Sequence, residues 1–346
     1  MEGNRIKATI SSRDSNIELL RLICMVGIVI MHFIGLAAYP EVWNPAAPLS
    51  TNVVAGTVLC SFTILSVNIF GLISGYYGIR FSWMRLLTLY LCCAFYALIG
   101  CGIGYAFGEA IPLKSVLLEV ILPFSHATGG LWYIECYVGL VLFSPLLNKA
   151  IENFTRNEYV VALVLFTIAN VYLGRFWKVP TYNIYGYSVA QLIYLYLIGG
   201  YVRRFVSVSE LSNRQIVLPL VLCVTLWNIL TLTQHYVHVP HWSPTSYNHL
   251  VVLIASVCVL ILLLKRPFRS QWVNSLATGS LAIYLVHQNE HVWSVIVTQL
   301  SNYQLFMRVA EIPVLIVLAV FLCFGIALFD KIRQFIMNAL FQIIQK

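Results

Sequence analysis

The chain has 346 residues, of which 60% are hydrophobic and only 10% are charged, and its mean hydropathy is +0.83. Soluble domains are about half apolar and about a quarter charged, so this composition excludes an ordinary soluble fold. The formal net charge of +8 is typical of a membrane protein with Lys- and Arg-rich cytoplasmic loops, and we expect no nucleic-acid partner. We therefore predict an all-α integral membrane protein in a lipid bilayer.

Ten apolar segments are long enough to cross a bilayer at about 1.5 Å per residue. They are residues 17–38, 51–77, 85–107, 130–148, 158–174, 186–202, 215–235, 247–264, 275–296 and 309–330. The first is longer than the apolar core of a signal peptide, so we expect a retained helix. Residues 113–125 are amphipathic and predict an additional interfacial or re-entrant helix.

The basic residues predict the orientation. With the N-terminus in the cytoplasm and ten alternating spans, 17 of the 21 Lys and Arg residues fall on inner segments. The four exceptions are Lys114, Arg175, Lys178 and Arg308. Since cytoplasmic loops carry an excess of Lys and Arg, this bias predicts an N-in/C-in topology. We expect residues 1–346 to form one membrane domain, with cytoplasmic segments at 1–16 and 331–346.

The nine cysteines all fall within apolar runs and show no metal-ligand spacing. Their odd number and scattered positions do not match a disulfide framework. We interpret them as small packing residues, and we expect neither a metal nor a permanently bound cofactor.

The first span, "RLICMVGIVIMH", carries Arg21 at its start and His32 at depth. Eleven residues on an α-helix make about 1100°, so both side chains lie on one face, about 16 Å apart along the axis. Glu18 precedes Arg21 by one turn and is placed to pair with it. The alternative is an interfacial Arg and a packing His, but a His at membrane depth is costly and indicates a functional site.

The second span, "VNIFGLISGYYGIR", places the polar Asn68 at depth and Arg80 at its cytoplasmic end, with Arg85 close behind. The two arginines have two open interpretations. They either serve the positive-inside bias or bind an anionic cytoplasmic ligand, because guanidinium groups suit phosphates.

Two later spans add further polar groups. In "LWYIECYVGLVLFSPLLN", Glu135 lies about one turn inside the outer face and requires a His or Arg partner, while Trp132 suits an interfacial belt. In "SLAIYLVHQNEHVW", Tyr284 and His287 lie one turn apart, and Gln288, Asn289 and Glu290 follow. Consecutive polar residues at mid-membrane must line a cavity or a protein interface, and a purely structural polar network remains the alternative. The aromatic outer loops suit either a belt or contact with sugar rings.

These four stretches, in this order, resemble the membrane acyltransferase-3 family, and more closely its bacterial O-acetyltransferases of capsule, exopolysaccharide and O-antigen. The family carries an arginine, ten residues and a histidine in its first helix, which Arg21 and His32 match. The resemblance covers nearly the whole chain. It implies acetyl-CoA as the donor from the cytoplasm, a hydroxyl of a lipid-linked or surface glycan as the acceptor, and the bacterial cytoplasmic membrane as the location.

The resemblance also implies residue roles. His32 acts as a general base or accepts the acyl group, Arg21 orients the donor or stabilises charge near His32, and Glu135 orients a histidine or the acceptor. The donor-binding residues are Ser74, Tyr76, Arg80 and Arg85. The acceptor-side residues are Asn68, Trp132, Tyr284, His287, Asn289 and Glu290. Arg80 and Arg85 depart from the family's usual spacing of two arginines, and no role is assigned to His126, His235, His238, His241, His249 or His291. A transporter or flippase of a glycan or small anion, without acyl transfer, is the alternative.

Overall fold

The computed structural model describes residues 13–38, 40–44, 46–124, 131–177, 179, 185–237, 245–302 and 312–344. Within these ranges all regular structure is helical. Several sequence predictions lie outside the described residues: the terminal segment 1–12, residue 125 of the amphipathic segment, Lys178, Arg308, and the histidines His126, His238 and His241.

Fourteen α-helices are found within the described ranges. They are α1 Ser15–His32, α2 Thr51–Thr63, α3 Leu65–Tyr77, α4 Trp83–Ala106, α5 Leu113–Ile121, α6 Trp132–Asn153, α7 Arg156–Thr167, α8 Val189–Phe205, α9 Asn213–Thr233, α10 Leu250–Leu264, α11 Gln271–Ala277, α12 Ser280–Gln288, α13 Glu290–Asn302 and α14 Ile312–Ile344. Helices α1 and α7 each continue into a π-helical turn, Phe33–Ala38 and Ile168–Phe176.

Seven helical stretches among the described residues are long and apolar enough to cross a membrane. They are Ser15–Gly35, Thr51–Tyr77, Trp83–Ala106, Trp132–Asn153, Arg156–Phe176, Asn213–Thr233 and Ile312–Ala339. They coincide with seven of the ten predicted spans, which supports a multi-pass membrane protein. Helices α8 and α10, at the sixth and eighth segments, have 17 and 15 residues, so ten spans and the N-in/C-in orientation stay predictions.

Side-chain caps explain where several helices begin. Ser50 accepts a hydrogen bond from the Val53 backbone N–H at the start of α2. Capping boxes begin α7, where Thr155 pairs with Glu158, and α9, which Ser212 begins. Each cap satisfies N–H groups that have no partner within the helix, which fixes the first turn.

The ninth predicted span is not one helix but three, α11, α12 and α13. At Asn289 the backbone is extended, and the Asn289 carboxamide oxygen accepts a hydrogen bond from the Val292 N–H at 3.2 Å. This cap begins α13 as a separate helix, so the prediction of one continuous helix over residues 275–296 is wrong. A broken helix is tolerated at membrane depth where surrounding protein satisfies the freed backbone groups.

Helix α1 is central and contacts α2, α3, α10, α11, α12 and α14. Beside it, α3 packs closely on α8 through glycines. A Cβ atom at Gly75 would lie 2.0 Å from the Tyr196 carbonyl oxygen, and one at Gly199 would lie 2.2 Å from the Leu72 carbonyl oxygen. Small residues allow such backbone contact between membrane helices. Because α3 also contacts α1, the α3–α8 pair supports the helix that carries Arg21 and His32.

The amphipathic segment forms α5, which confirms a helix within residues 113–125, and its interfacial position stays a prediction. All nine cysteines are free thiols, and eight of them are buried, as expected for packing residues. Cys101 differs from the others because it hydrogen-bonds to the α5 carboxylate of Glu119 at 3.4 Å.

Candidate active site

The face of α1 that carries Arg21 and His32 opens onto a cavity of about 350 Å³, here called the histidine cavity. Both side chains line it, in agreement with the eleven-residue spacing. Helices α3, α6 and α12 contribute further walls. Their lining residues include Phe70, Ser74, Trp132, Tyr133, Tyr137, Tyr284 and Gln288.

His32 is tied to α12 through Gln288. The Gln288 amide nitrogen lies 3.1 Å from His32 Nδ1 and 3.2 Å from His287 Nε2. The two imidazole rings are 5.1 Å apart between centroids. On its other side, His287 Nδ1 lies 2.7 Å from the Ile283 carbonyl oxygen. Because that oxygen only accepts, His287 carries its proton on Nδ1, and its Nε2 is an acceptor.

This arrangement sets the protonation of His32. The Gln288 NH2 group donates to both imidazoles, so Nδ1 of His32 is an acceptor and the neutral ring carries its proton on Nε2. Rotation of the carboxamide would instead place its oxygen against the Nε2 lone pair of His287, so the His287 hydrogen bond to the Ile283 carbonyl oxygen fixes the orientation of the amide. The lone pair of neutral His32 therefore lies on Nδ1, the nitrogen that faces Gln288.

Aromatic rings form much of the surrounding wall. Trp293 of α13 lies edge-on to His32 at 6.0 Å and stacks on Phe33 at 5.6 Å. Farther along the cavity, Trp132 stacks on Tyr247 with ring centroids 5.7 Å apart. Both Trp132 and Tyr247 line the histidine cavity, which gives it a flat apolar surface beside its polar groups.

A second cavity of about 390 Å³ adjoins the first and is here called the arginine cavity. Four arginines line it: Arg21, Arg80, Arg85 and Arg333. The two cavities share five lining residues, namely Arg21, Ser74, Leu89, Tyr137 and Leu281. Arg21 therefore lies where the two spaces meet, with His32 on one side and Arg80 and Arg85 on the other.

The four arginines differ in their partners. Arg21 pairs with Glu18 at 3.2 Å, which confirms the predicted pairing, and Arg333 pairs with the fully buried Asp330 at 2.5 Å. Arg80 and Arg85 are exposed, and in the described part of the chain neither lies within ion-pair distance of a carboxylate. Their contact with each other is a hydrogen bond from Arg85 to the Arg80 carbonyl oxygen at 3.1 Å. These two guanidinium groups are thus available to an anionic ligand.

Six of the predicted site residues line neither large cavity, and one of these, His287, still contacts His32 through Gln288. Asn68 donates a hydrogen bond to the Tyr247 carbonyl oxygen at 2.7 Å, so it holds the segment that carries an aromatic wall. The carbonyl oxygen of Tyr76 accepts from Arg203, and Glu135 lies in the first turn of α6. Asn289 and Glu290 line a smaller cavity of about 30 Å³.

The remaining predicted residues do converge. Arg21, His32, Ser74, Trp132 and Tyr284 line the histidine cavity. Arg80 and Arg85 line the arginine cavity. His287 is buried behind Tyr284, with ring centroids 5.8 Å apart, and contacts His32 through Gln288.

Sequence reasoning missed Gln288 and Arg333 as site residues. Gln288 stands beside His287 in the polar run, so its position gave a signal, but the contact with His32 spans 256 residues of chain. Arg333 was counted only as part of the basic bias. Its spacing of three from Asp330 predicts a helical ion pair, but no sequence pattern indicates that it faces the arginine cavity.

Three histidines with no predicted role have described contacts. His235 Nδ1 lies 2.8 Å from the Ala47 carbonyl oxygen, and His249 caps α10 by accepting from the Val251 N–H. His291 contacts two glutamates, Glu109 and Glu119. None of the three lines the histidine cavity or the arginine cavity.

Comparison with known proteins identifies a protein family. A family model described as an acyltransferase domain, acyltransferase-3, matches residues 14–328. No curated protein and no solved structure matches the chain. The matched range spans most of the chain and contains every residue that lines the histidine cavity apart from Arg13.

Proposed function

The chain belongs to the acyltransferase-3 family, and on that basis we propose that it transfers an acetyl group from cytoplasmic acetyl-CoA to a hydroxyl of a membrane-associated or surface glycan. The observation that carries this proposal is the shared wall of the two cavities, where Arg21 lies between His32 and two arginines, Arg80 and Arg85, that have no carboxylate partner among the described residues. Such a space suits a phosphate-rich donor at one end and a proton-accepting group at the other.

The arginine cavity is the donor site in this proposal. Arg80 and Arg85 bind the CoA phosphates, because guanidinium groups form strong charge-assisted hydrogen bonds with phosphate oxygens. Ser74 and Arg21 lie on the boundary between the cavities, where the thioester end of the donor reaches toward His32. Arg21 remains paired with Glu18. The positive charge of Arg21 stabilises the oxyanion that develops on the thioester carbonyl.

His32 carries the proton chemistry. The acceptor hydroxyl oxygen attacks the thioester carbonyl carbon, the C–S bond breaks, and His32 takes the hydroxyl proton and passes it to the departing CoA thiolate. In the two-step variant, His32 attacks the thioester first and the acetyl group moves from the ring to the hydroxyl. Both routes need a lone pair on the reacting nitrogen, which neutral His32 carries on Nδ1, the nitrogen that faces Gln288.

The aromatic side of the histidine cavity suits the acceptor. Trp132 and Tyr247 present a stacked apolar surface of the kind on which a sugar ring packs. Tyr284 adds a buried hydroxyl to the same wall. The acceptor residues therefore combine a flat face with few polar groups, as is typical of small-molecule sites.

The reaction can be tested on surface glycan from cells with and without the protein. We expect proton NMR to show O-acetyl signals that depend on the wild-type chain and disappear with His32→Ala at equal protein level. Normal O-acetylation in cells that carry His32→Ala would contradict the role of His32. Unchanged glycan in cells that lack the protein would contradict the glycan as acceptor.

Saturable binding of acetyl-CoA to the purified chain separates acyl transfer from the alternative, a transporter or flippase of a glycan or small anion. A transporter needs buried ionisable groups for its cargo but no CoA site. We expect binding that weakens in Arg85→Ala and persists in His32→Ala. Absence of acetyl-CoA binding would favour the transporter.

A further inference from the structure

A second polar cluster lies outside both large cavities, where α4, α5 and α13 meet. Its members are Cys101, Glu119 and His291, with exposed fractions of 1%, 7% and 6%. His291 Nε2 lies 3.1 Å from Glu119 Oε1, and the Cys101 sulfur lies 3.4 Å from Glu119 Oε2. One ligand atom from each residue can be chosen so that all three lie within 4.8 Å of one another. The mechanism proposed above uses none of these residues.

Helix α5 buries a carboxylate in this cluster although several of its apolar residues are exposed. Glu119 is its only buried residue, whereas its apolar residues Leu113, Leu117 and Ile121 are exposed. Burying a carboxylate is costly unless a charge or several hydrogen bonds compensate. The helix therefore places its single acidic side chain inward for a reason other than apolar packing.

Within the described ranges, a single imidazole is the ion-pair partner of two carboxylates in this cluster. His291 Nδ1 also lies 2.8 Å from the carboxylate of Glu109, so two carboxylates share one imidazole. Among the described residues, no Lys or Arg lies within ion-pair distance of Glu109 or Glu119; their ion-pair partner is His291. Even a fully charged imidazole leaves an excess of negative charge, which a cation would neutralise.

The distances also suit a metal ion. Tetrahedral zinc, with bonds of about 2.0 Å to N and O and about 2.3 Å to S, places N and O ligands about 3.3 Å apart and S and O ligands about 3.5 Å apart. The observed separations are of this size, 3.1 Å from the imidazole to Oε1 of Glu119 and 3.4 Å from the sulfur to Oε2. Because they involve the two different oxygens, a rotation of the Glu119 carboxylate is needed for one oxygen to serve as the ligand beside both.

Glu109 contacts the other imidazole nitrogen of His291, Nδ1. When a histidine binds a metal through one nitrogen, the other N–H commonly donates to a carboxylate, which fixes the tautomer and strengthens the ligand. With Nε2 facing Glu119, the Nδ1–H donates to Glu109. Four residues on three helices and one loop thus hold the positions of three ligands and one supporting carboxylate.

From this arrangement we propose that Cys101, Glu119 and His291 bind a Zn²⁺-class transition-metal ion, with Glu109 orienting His291. Thiolate, imidazole and carboxylate together favour zinc over Mg²⁺ or Ca²⁺, which prefer oxygen ligands alone. The ion would join α4, α5 and α13. Since Glu119 and Gln288 line the same small cavity, it would also stabilise the region behind His32.

The test uses the full chain, purified in detergent without a polyhistidine tag. Metal analysis of wild-type protein is expected to give about one Zn²⁺ per chain, lost on treatment with a strong chelator and restored by titration with Zn²⁺. His291→Ala is expected to abolish the saturable binding. Glu109→Gln is expected to weaken it about 10- to 100-fold, as is usual for the loss of a supporting carboxylate.

Cobalt provides a readout that a merely structural cluster would not give. Stripped wild-type protein loaded with Co²⁺ is expected to show a sulfur-to-cobalt charge-transfer band in the near ultraviolet. Cys101→Ser should remove this band, and Cys258→Ser, at another buried cysteine, should keep it. The wild-type titration does not depend on whether a variant folds.

Three results would overturn the proposal. They are the absence of saturable Zn²⁺ binding by stripped wild-type protein, a charge-transfer band that survives Cys101→Ser, and Zn²⁺ affinity that is unchanged in His291→Ala. In the first case the cluster is an imidazolium held between two carboxylates.

Discussion

Replacing Gln288 with Leu tests whether the amide between the two imidazoles controls His32. The substitution keeps a side chain of similar size but removes the hydrogen bonds at 3.1 Å and 3.2 Å. Nδ1 of His32 then lacks a partner that can hold the reactive tautomer. Loss of a buried hydrogen bond costs about 1–3 kcal/mol, and each 1.36 kcal/mol corresponds to about tenfold in rate. We expect kcat to fall about 5- to 150-fold.

The assay is steady-state release of CoA by purified protein over a range of acetyl-CoA concentrations. Gln288 does not line the arginine cavity, so KM for acetyl-CoA should stay within about twofold of the wild-type value. Gln234→Leu is the matched control, since Gln234 is buried and lines none of the three cavities. A wild-type kcat in a folded Gln288→Leu variant would refute the reasoning, as would an equal loss in Gln234→Leu.

Three further predictions concern the donor site and the fold. Arg85→Ala should raise KM for acetyl-CoA about tenfold or more because a charge-assisted phosphate contact is lost. Arg214→Ala, outside the cavities, should leave KM unchanged. Equal KM values in Arg85→Ala and the wild-type protein would mean that Arg85 serves only the positive-inside bias. Gly75→Ala should lower stability by about 1–3 kcal/mol through overpacking, whereas Gly102→Ala, with open space around it, should leave the melting temperature unchanged. Asp330→Ala should lower the free energy of unfolding by about 3–5 kcal/mol because Arg333 keeps an uncompensated charge. A melting temperature equal to that of the wild-type protein would show that the ion pair is dispensable for stability.

Part of this site could be predicted because its geometry is local. Arg21 and His32 belong to one helix, so the period of 3.6 residues per turn fixes their common face. The order of apolar segments likewise predicts most helices, since length and hydropathy decide whether a segment can cross a bilayer. Both inferences need only neighbouring residues.

The rest depends on contacts between distant parts of the chain. The contact between Gln288 and His32 requires α12 to end at Asn289, a break that the hydropathy of 275–296 does not reveal. Cys101 and His291 both meet Glu119, 18 and 172 residues away from it along the chain. Tertiary packing brings such groups together, and a single sequence carries no pattern for it.

The most direct test of the central claim is acyl transfer by purified protein in liposomes, with acetyl-CoA outside and CoA release followed as free thiol. The account predicts release that depends on an added glycan acceptor and that falls at least about 100-fold in His32→Ala, the size of effect typical for loss of a general base. His235→Ala, at a histidine outside the cavities, should keep the wild-type rate. Undiminished acetylation by a folded His32→Ala variant would contradict the account.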